Sequence, residues 1–169
     1  MAKILEILQY GHPTLREVCA PVQVFDEELA TLLEDMKRTL KEGGIGLAAP
    51  QVGRPIQLIT IDIPSSDKTT TYISVNGERC QLEDIMPLDF INPVIEPYGP
   101  KSTYTEGCLS IRDVYAPIRR RSKVRAILPL VDGRTLKLEC NGLLARCLQH
   151  ENDHLHGILF TDHIDKEPQ

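Results

Sequence analysis

NGLLARCLQHENDHLHG, residues 141–157, is the stretch of this chain that says most about its fold. Asn141 suits a helix N-cap and Gly157 a helix end, so the residues between them are predicted to form a helix. At about 100° per residue, one face of this helix carries Leu143, Cys147, His150 and His154. The adjoining stripe carries Leu144, Leu148, Glu151 and Leu155. Two imidazoles therefore stand one turn apart on an apolar face, with a carboxylate beside them.

This helix predicts a metal centre. His150, Glu151 and His154 have the His-Glu-x-x-His arrangement, in which both imidazoles bind one ion and the carboxylate reaches the water on it. A single buried histidine is usually a satisfied core residue. Two buried histidines and an unpaired glutamate are costly to bury without an ion, so we favour the metal centre.

The third ligand, a carboxylate or a cysteine, must come from elsewhere, because a catalytic site normally takes three ligands from the protein and keeps one position open. Cys108 is a candidate, since Gly107 before it lets the backbone approach closely. A free cysteine is, however, more often an inert core residue. Cys147 is the rival, but it would have to reach the ion from the same helix as both histidines. Packing beside the site is the simpler interpretation of Cys147.

The rest of the chain is predicted to be mostly strands. A helix is expected at residues 26–42, where Asp26 suits the N-cap and Gly43-Gly44 the end. We expect strands at 56–63, 72–75 and 90–95, a surface loop at 77–89, and a hairpin of 123–131 with 134–140 around Asp132-Gly133. One long helix before the strands and one after them indicate an α+β fold. Residues 1–169 are expected to be a single compact domain, with a largely antiparallel sheet around a central metal-binding helix.

Composition excludes several classes of protein. Of the 169 residues, 41% are hydrophobic and 25% charged, and no run approaches the roughly 20 apolar residues of a membrane span. The N-terminal residues resemble neither a signal peptide nor a transit peptide, and the five cysteines are expected to be reduced thiols in the cytoplasm. The net charge of −5 disfavours general affinity for nucleic acid. The exception is a basic cluster, interpreted as a solvated strand face: Arg119, Arg120, Arg121, Lys123 and Arg125.

Three segments together resemble a known family. Residues 44–51 (GIGLAAPQ), 106–110 (EGCLS) and 149–154 (QHENDH) are similar, in order and spacing, to the three signature motifs of the peptide deformylases. The resemblance spans about residues 5–162. It implies a hydrolase that removes the N-formyl group from the formyl-methionine of newly synthesised polypeptides.

The resemblance also implies roles for individual residues. The metal ligands would be Cys108, His150 and His154, and Glu151 would be the general base and acid. The Gln51 side-chain amide and the Leu109 backbone N–H would donate to the formyl oxygen. The groove for the peptide backbone would be lined by Gly46 and Gly107, and the apolar Ile45, Leu143 and Cys147 would form the methionine pocket in addition to their packing. The metal would be Fe(II), which Zn, Ni or Co can replace.

The chain departs from the family pattern at three places. Asn152 stands where an apolar residue is usual, but on the helix wheel it faces away from the metal. Arg146 stands where relatives often have an apolar residue, and it could alter the rim of the pocket. Gln169 follows the metal helix closely, so the long C-terminal helix by which many relatives dock on the ribosome is not expected. The expected partner is a formyl-methionyl peptide on a nascent chain, with no membrane and no specific nucleic acid.

Two other functions remain open. The first is a metallopeptidase of another specificity, against which Gln51 and the Cys108 segment argue. The second is a non-catalytic binding module with a structural metal. Structural sites are usually closed by four protein ligands, whereas only three are found here, and Glu151 would then have no purpose.

Overall fold

The computed structural model describes residues 1–166, the last two of them by backbone alone. In chain order its main elements are α1 (Glu27–Leu40), β1 (Gly46–Ala48), β2 (Leu58–Ile61), β3 (Ile73–Val75), β4 (Glu78–Arg79), α2 (Leu82–Ile85), β5 (Leu88–Ile91), β6 (Val94–Cys108), β7 (Ile111–Pro129), β8 (Thr135–Asn141) and α3 (Gly142–Leu155). Short 3-10 turns lie at Pro13–Arg16, Ala49–Val52 and Phe160–Lys166. The predicted α+β class is confirmed.

The strands form two antiparallel sheets. The small sheet has the order β1-β2-β5, and the large one has the order β4-β3-β8-β7-β6. Helix α3 contacts β6, β7 and β8 of the large sheet as well as β1 of the small one. Apolar side chains such as Phe90, Val124, Leu144 and Leu148 fill the space between them. The predicted central position of the second helix is therefore confirmed.

Helix α1 forms where the sequence predicts it, with Asp26 as its N-cap. The Asp26 carboxylate caps it by accepting a hydrogen bond from the Leu29 N–H at 3.0 Å. Its apolar side chains are buried, with Met36 0% and Leu40 4% exposed. The helix ends at Leu40, two residues before the predicted end.

Two strand-level predictions were wrong. Residues 90–95 are not one strand, because Asn92 has a φ of 46° and Pro93 follows it. The chain leaves the small sheet at this point and enters the large one, and the Asn92 side chain bonds the N–H and the C=O of Val22, each at 2.8 Å. Residues 77–89 are not a plain loop either. They contain β4 and α2, whose Leu82 is 5% exposed.

The predicted hairpin is confirmed as β7 and β8, with Leu136, Leu138 and Cys140 buried. Strand β7 begins at Ile111, far before the predicted residue 123, and its other neighbour is the 15-residue β6. The sequence hides β6 because Pro97, Gly99 and Pro100 interrupt its pattern. The structure accommodates them with a register shift between Tyr98 and Lys101.

Helix α3 begins at the predicted residue but is capped differently. Asn141 is the N-cap residue, yet its side-chain oxygen accepts hydrogen bonds from the preceding loop, including the Thr71 N–H at 2.9 Å. The Thr69 hydroxyl accepts from the Leu143 N–H at 3.0 Å, and the Thr70 hydroxyl accepts from the next amide at 3.2 Å. A loop about 70 residues earlier thus supplies the capping groups, which local sequence rules could not reveal.

No helix within residues 1–166 is both long and apolar enough to cross a membrane. The expectation about a C-terminal docking helix concerns the chain end, where residues 167–169 lie outside the described part.

Candidate metal centre and active site

The three expected metal ligands meet at one point. Cys108 ends β6 at the turn into β7, while His150 and His154 stand one turn apart on α3. One ligand atom from each residue lies within 4.8 Å of the other two. The Cys108 Sγ is 3.4 Å from His154 Nε2, and the two imidazole centroids are 5.1 Å apart. Residues more than 40 positions apart in the chain therefore form one cluster of donors.

This cluster fits a divalent transition metal. One sulfur and two imidazole nitrogens are a donor set that zinc and iron(II) accept, and three protein ligands leave a position open. One buried polar atom beside the cluster, Glu151 Oε1, has no hydrogen-bond partner among the described residues. Unsatisfied buried atoms are rare in folded proteins and are often explained by a bound ion or water. The site is thus suited to an ion with an attached water.

Cys147 lies beside this cluster and not in it. Its side chain is 5% exposed, and burial raises the pKa of the thiol well above its ordinary value. Cys147 is not among the residues whose ligand atoms lie within 4.8 Å of one another. The structure therefore favours Cys108 over Cys147 as the sulfur donor.

Glu106 holds His150 in place and was given no role in the sequence analysis. Its Oε1 lies 3.0 Å from His150 Nδ1, which leaves Nε2 of that ring for an ion. The same carboxylate accepts two hydrogen bonds from Arg120, at 2.6 and 3.0 Å, and one from Arg146 at 3.1 Å. Burial alone would raise the pKa of Glu106, but the hydrogen bonds from His150 and Arg120 outweigh it and lower the pKa to about 2. Such a carboxylate fixes the orientation of a ligating imidazole.

The interpretation of the basic cluster as a solvated strand face was wrong for Arg120, which is buried. It is 6% exposed, and besides Glu106 it bonds Asp153 at 3.1 Å, which in turn contacts His163 at 2.9 Å. The other four members of the cluster are exposed, as expected: Arg119, Arg121, Lys123 and Arg125. The signal was available, because strand alternation places Arg120 in phase with the buried Ile118.

Glu151 is buried next to the expected metal ligands. It is 4% exposed, and burial raises the pKa of its carboxyl to about 7. Gly46 makes room for it, since a Cβ at that position would lie 2.8 Å from Glu151 Oε2 and 2.9 Å from Cys147 Sγ. The glycine is therefore required by the close approach of β1 to α3.

Gln51 directs its amide nitrogen at the same cluster. Its side-chain oxygen accepts a hydrogen bond from the Ala48 N–H at 3.0 Å, which fixes the orientation of the amide. The NH₂ group then lies 3.6 Å from Cys108 Sγ and 3.2 Å from Ser110 Oγ. Leu109 follows Cys108 in the hairpin turn and lines the same cavity as Gln51. The Gln51 amide thus lies at the metal cluster, and Leu109 lies at the cavity beside it.

A cavity of about 430 Å³ opens beside these groups. Its walls include all five residues expected to contact the substrate, namely Ile45, Gly46, Gly107, Leu143 and Cys147. Tyr115, not foreseen, also lines it, with its ring against Gly107, where an added Cβ would lie 2.6 Å from Cε1. The cavity is therefore partly apolar and bounded by backbone that a peptide can approach.

The two departures on α3 have different outcomes. Arg146 lines the cavity, but it is 5% exposed and held by Glu106, by the Ser102 carbonyl at 3.2 Å and by the Ile118 carbonyl. It therefore belongs to the network behind His150. Asn152 is half-buried and does not line the cavity, in keeping with the helix wheel.

Comparisons with known proteins give one family. The family model described as Polypeptide deformylase matches residues 4–169. A peptide deformylase of Novosphingobium aromaticivorans is 40% identical over 169 residues, covering 96% of this chain and 90% of the relative. One of Zymomonas mobilis is 44% identical over 165 residues, covering 96% and 87%.

Solved structures give the same result. A peptide deformylase from Synechococcus elongatus in complex with actinonin has a TM-score of 0.79 and 38% identity, covering 94% of this chain and 78% of that one. A Met-Ala-Ser-bound class I type b peptide deformylase from Acinetobacter baumannii has a TM-score of 0.80 and 27% identity, covering 96% and 99%. With its motifs, its fold and the geometry of its metal cluster, this chain belongs to the peptide deformylase family.

Proposed function

We propose that the protein removes the N-formyl group from the formyl-methionine of newly synthesised polypeptides by metal-dependent hydrolysis. The observation that carries the proposal is the meeting of one thiol and two imidazoles within 4.8 Å, at a cavity that Gln51 and Glu151 also line. We further propose that residues 1–169 act as one catalytic domain. Its place is the cytoplasm, where nascent chains supply the substrate.

The metal ligands in this proposal are Cys108, His150 through Nε2, and His154. Fe(II) is the proposed ion, and Zn, Ni or Co can replace it. Held by these residues, a divalent ion would supply an oxygen nucleophile near neutral pH, because such ions lower the pKa of bound water from about 15.7 to about 7. A thiolate ligand suits a soft or borderline metal.

The protein side chains handle the protons and the developing charge. Glu151 takes the proton of the attacking water and delivers it to the leaving amine. Its burial supports this role, since a carboxyl shielded from bulk water keeps the proton for transfer. The Gln51 amide and the Leu109 N–H donate hydrogen bonds to the oxygen of the formyl group as it becomes negative. One such donor is typically worth about 10²–10³ in rate.

The cavity walls provide the specificity. Ile45, Leu143 and Cys147 offer apolar surface to a methionine side chain, and Gly46 and Gly107 let the peptide backbone lie close. The Met-Ala-Ser held by the relative from Acinetobacter baumannii supports a methionyl peptide as the product.

Formate release from formyl-Met-Ala-Ser by protein loaded anaerobically with Fe(II) tests the proposal. We expect turnover of this peptide and none of acetyl-Met-Ala-Ser. Cleavage of a peptide bond in Met-Ala-Ser would instead indicate a metallopeptidase. Bound metal without any turnover would indicate a binding module.

A comparison of first residues tests the pocket. Methionine and norleucine should be preferred over alanine in kcat/KM, because each lost methylene in an apolar pocket costs about 1–3 kcal/mol of discrimination. Equal rates for formyl-Met and formyl-Ala peptides would remove the assigned roles of Ile45, Leu143 and Cys147.

A further inference from the structure

An exposed row of basic side chains runs along β7 and has no part in the proposed reaction. Arg119, Arg121 and Lys123 are exposed and alternate with the buried Arg120 and the half-buried Ser122. Because Arg120 bonds Asp153 of α3, its exposed neighbours along the strand point away from α3. Lys101 of β6 pairs directly with Arg121 and extends the row sideways. Since alternate residues of a strand lie about 7 Å apart, the row from 119 to 123 is roughly 14 Å long. We call Lys101, Arg119, Arg121 and Lys123 the basic row.

The charges of the basic row are not neutralised by the protein. Among the side chains that the structure describes, no carboxylate oxygen lies within 4.0 Å of their charged nitrogens. Arg125, next along the strand, differs, because it pairs with Glu139 at 3.2 Å and with Glu96 at 3.6 Å. Arg121 donates to the Gly99 carbonyl at 3.0 Å and Lys123 Nζ lies 5.9 Å from the centre of the Tyr98 ring, but neither partner carries a negative charge. Four adjacent cations without a carboxylate partner, on a chain with a net charge of −5, are a local concentration of one sign. Such a concentration attracts a partner of the opposite sign.

We propose that the basic row docks the protein on the phosphate backbone of a structured RNA. A row of cations along a strand matches a linear polyanion, in which charges also repeat at short intervals. Phosphate contacts position a protein without reading bases, so this docking agrees with the expectation of no specific nucleic acid. An anionic membrane fits less well, because apolar side chains among the cations strengthen interfacial binding, whereas the three outward-facing residues of 119–123 are all cationic.

The choice of RNA as the partner rests on the proposed function. Formyl-methionyl chains emerge from ribosomes, whose surface is rich in RNA. Residues of the basic row point to the face opposite α3, so a partner seated there does not touch His150, His154 or Glu151. The protein can therefore hold RNA and a peptide together.

Fluorescence anisotropy with a labelled RNA duplex of about 20 base pairs tests the inference, since such a duplex is longer than the row. If the basic row neutralises four phosphates, the affinity should fall on the order of 100-fold between about 50 and about 200 mM salt. The triple variant Arg119→Gln, Arg121→Gln, Lys123→Gln should bind at least about tenfold more weakly and lose most of the salt dependence.

A matched control separates the row from net charge. The variant Lys3→Gln, Lys41→Gln, Arg134→Gln removes the same number of exposed cations from other surfaces and should bind as the parent does. Equal binding by the parent and the row variant would overturn the inference. So would tighter binding to a DNA duplex or to phosphatidylserine vesicles than to RNA. Formate release from soluble formyl-Met-Ala-Ser should be the same in the parent and both variants, so failure of RNA binding and failure of the proposed function are measured separately.

Discussion

Replacing Glu106 by glutamine tests how the metal centre is supported. The side chain keeps its volume, but Arg120 and Arg146, which are both buried, lose their shared negative partner. Breaking a buried ion pair by removing one partner costs about 3–5 kcal/mol, and the retained amide oxygen places the expected loss near the lower figure. His150 also loses the carboxylate that orients its ring, so metal affinity should fall by about 10- to 100-fold.

Glu139→Gln is the matched control. Glu139 bonds Arg125 Nε at 3.2 Å, as Glu106 bonds Arg120 Nε at 2.6 Å, but the Glu139 and Arg125 side chains are 42% and 50% exposed. An exposed pair of this kind contributes at most about 1 kcal/mol. Urea unfolding of the metal-free proteins gives the stability, and competition with a chromogenic chelator for Zn²⁺ gives the affinity.

Stability tests the buried ion-pair network, and Zn²⁺ affinity tests the orientation of His150. Equal stability losses in both variants would refute the importance of the buried network. Unchanged Zn²⁺ affinity in the Glu106 variant would refute the orienting role of the carboxylate, even if stability fell.

Three further predictions follow from the site and its surroundings. Glu151→Gln should keep its metal while turnover falls by roughly 10² or more, and near-normal formate release would mean that another group moves the proton. Cys108→Ser should lose metal on dialysis whereas Cys147→Ser keeps roughly one ion per chain, and the reverse metal contents would mean that α3 supplies all three ligands. Burial alone would raise the pKa of Asp67, but hydrogen bonds from Thr70 and Thr69 lower it. The contribution of Asp67 to the free energy of unfolding is therefore present above the pKa of about 3.9 that it has in the unfolded chain. It is lost as the pH falls through the lower pKa of the folded protein. The gap in urea midpoint between the parent and Asp67→Asn should accordingly shrink from about pH 6 to about pH 3, and a constant gap would contradict this.

The local pattern of the sequence was enough to predict the elements that carry the chemistry. Helical periodicity alone placed His150, His154 and Glu151 on adjoining faces of one buried helix, and strand alternation placed the hairpin before it. These features depend on residues within one or two turns of each other, so their spacing is visible in the chain. Strand alternation also predicts that Arg120 points inward, although its place in a run of basic residues suggested an exposed side chain.

Where local signals were mixed, the prediction failed. Pro97, Gly99 and Pro100 disguised β6, because proline and glycine weaken a strand pattern whatever the tertiary partner. Asn92 turned what looked like one strand into two strands of different sheets. Propensity cannot decide such cases, since the pairing partners lie far away in the sequence.

Tertiary structure decided which groups meet. Helix geometry left both Cys108 and Cys147 open as sulfur donors. Only the packing of the β6–β7 turn against α3 brought Cys108 to the histidines, while Cys147 is buried beside them. The support of His150 by Glu106 and the capping of α3 by a distant loop are of the same kind. The sequence by itself determined the faces of the helix and the strand, because those follow from backbone periodicity. The contacts between faces depend on long-range packing, which residue spacing does not encode.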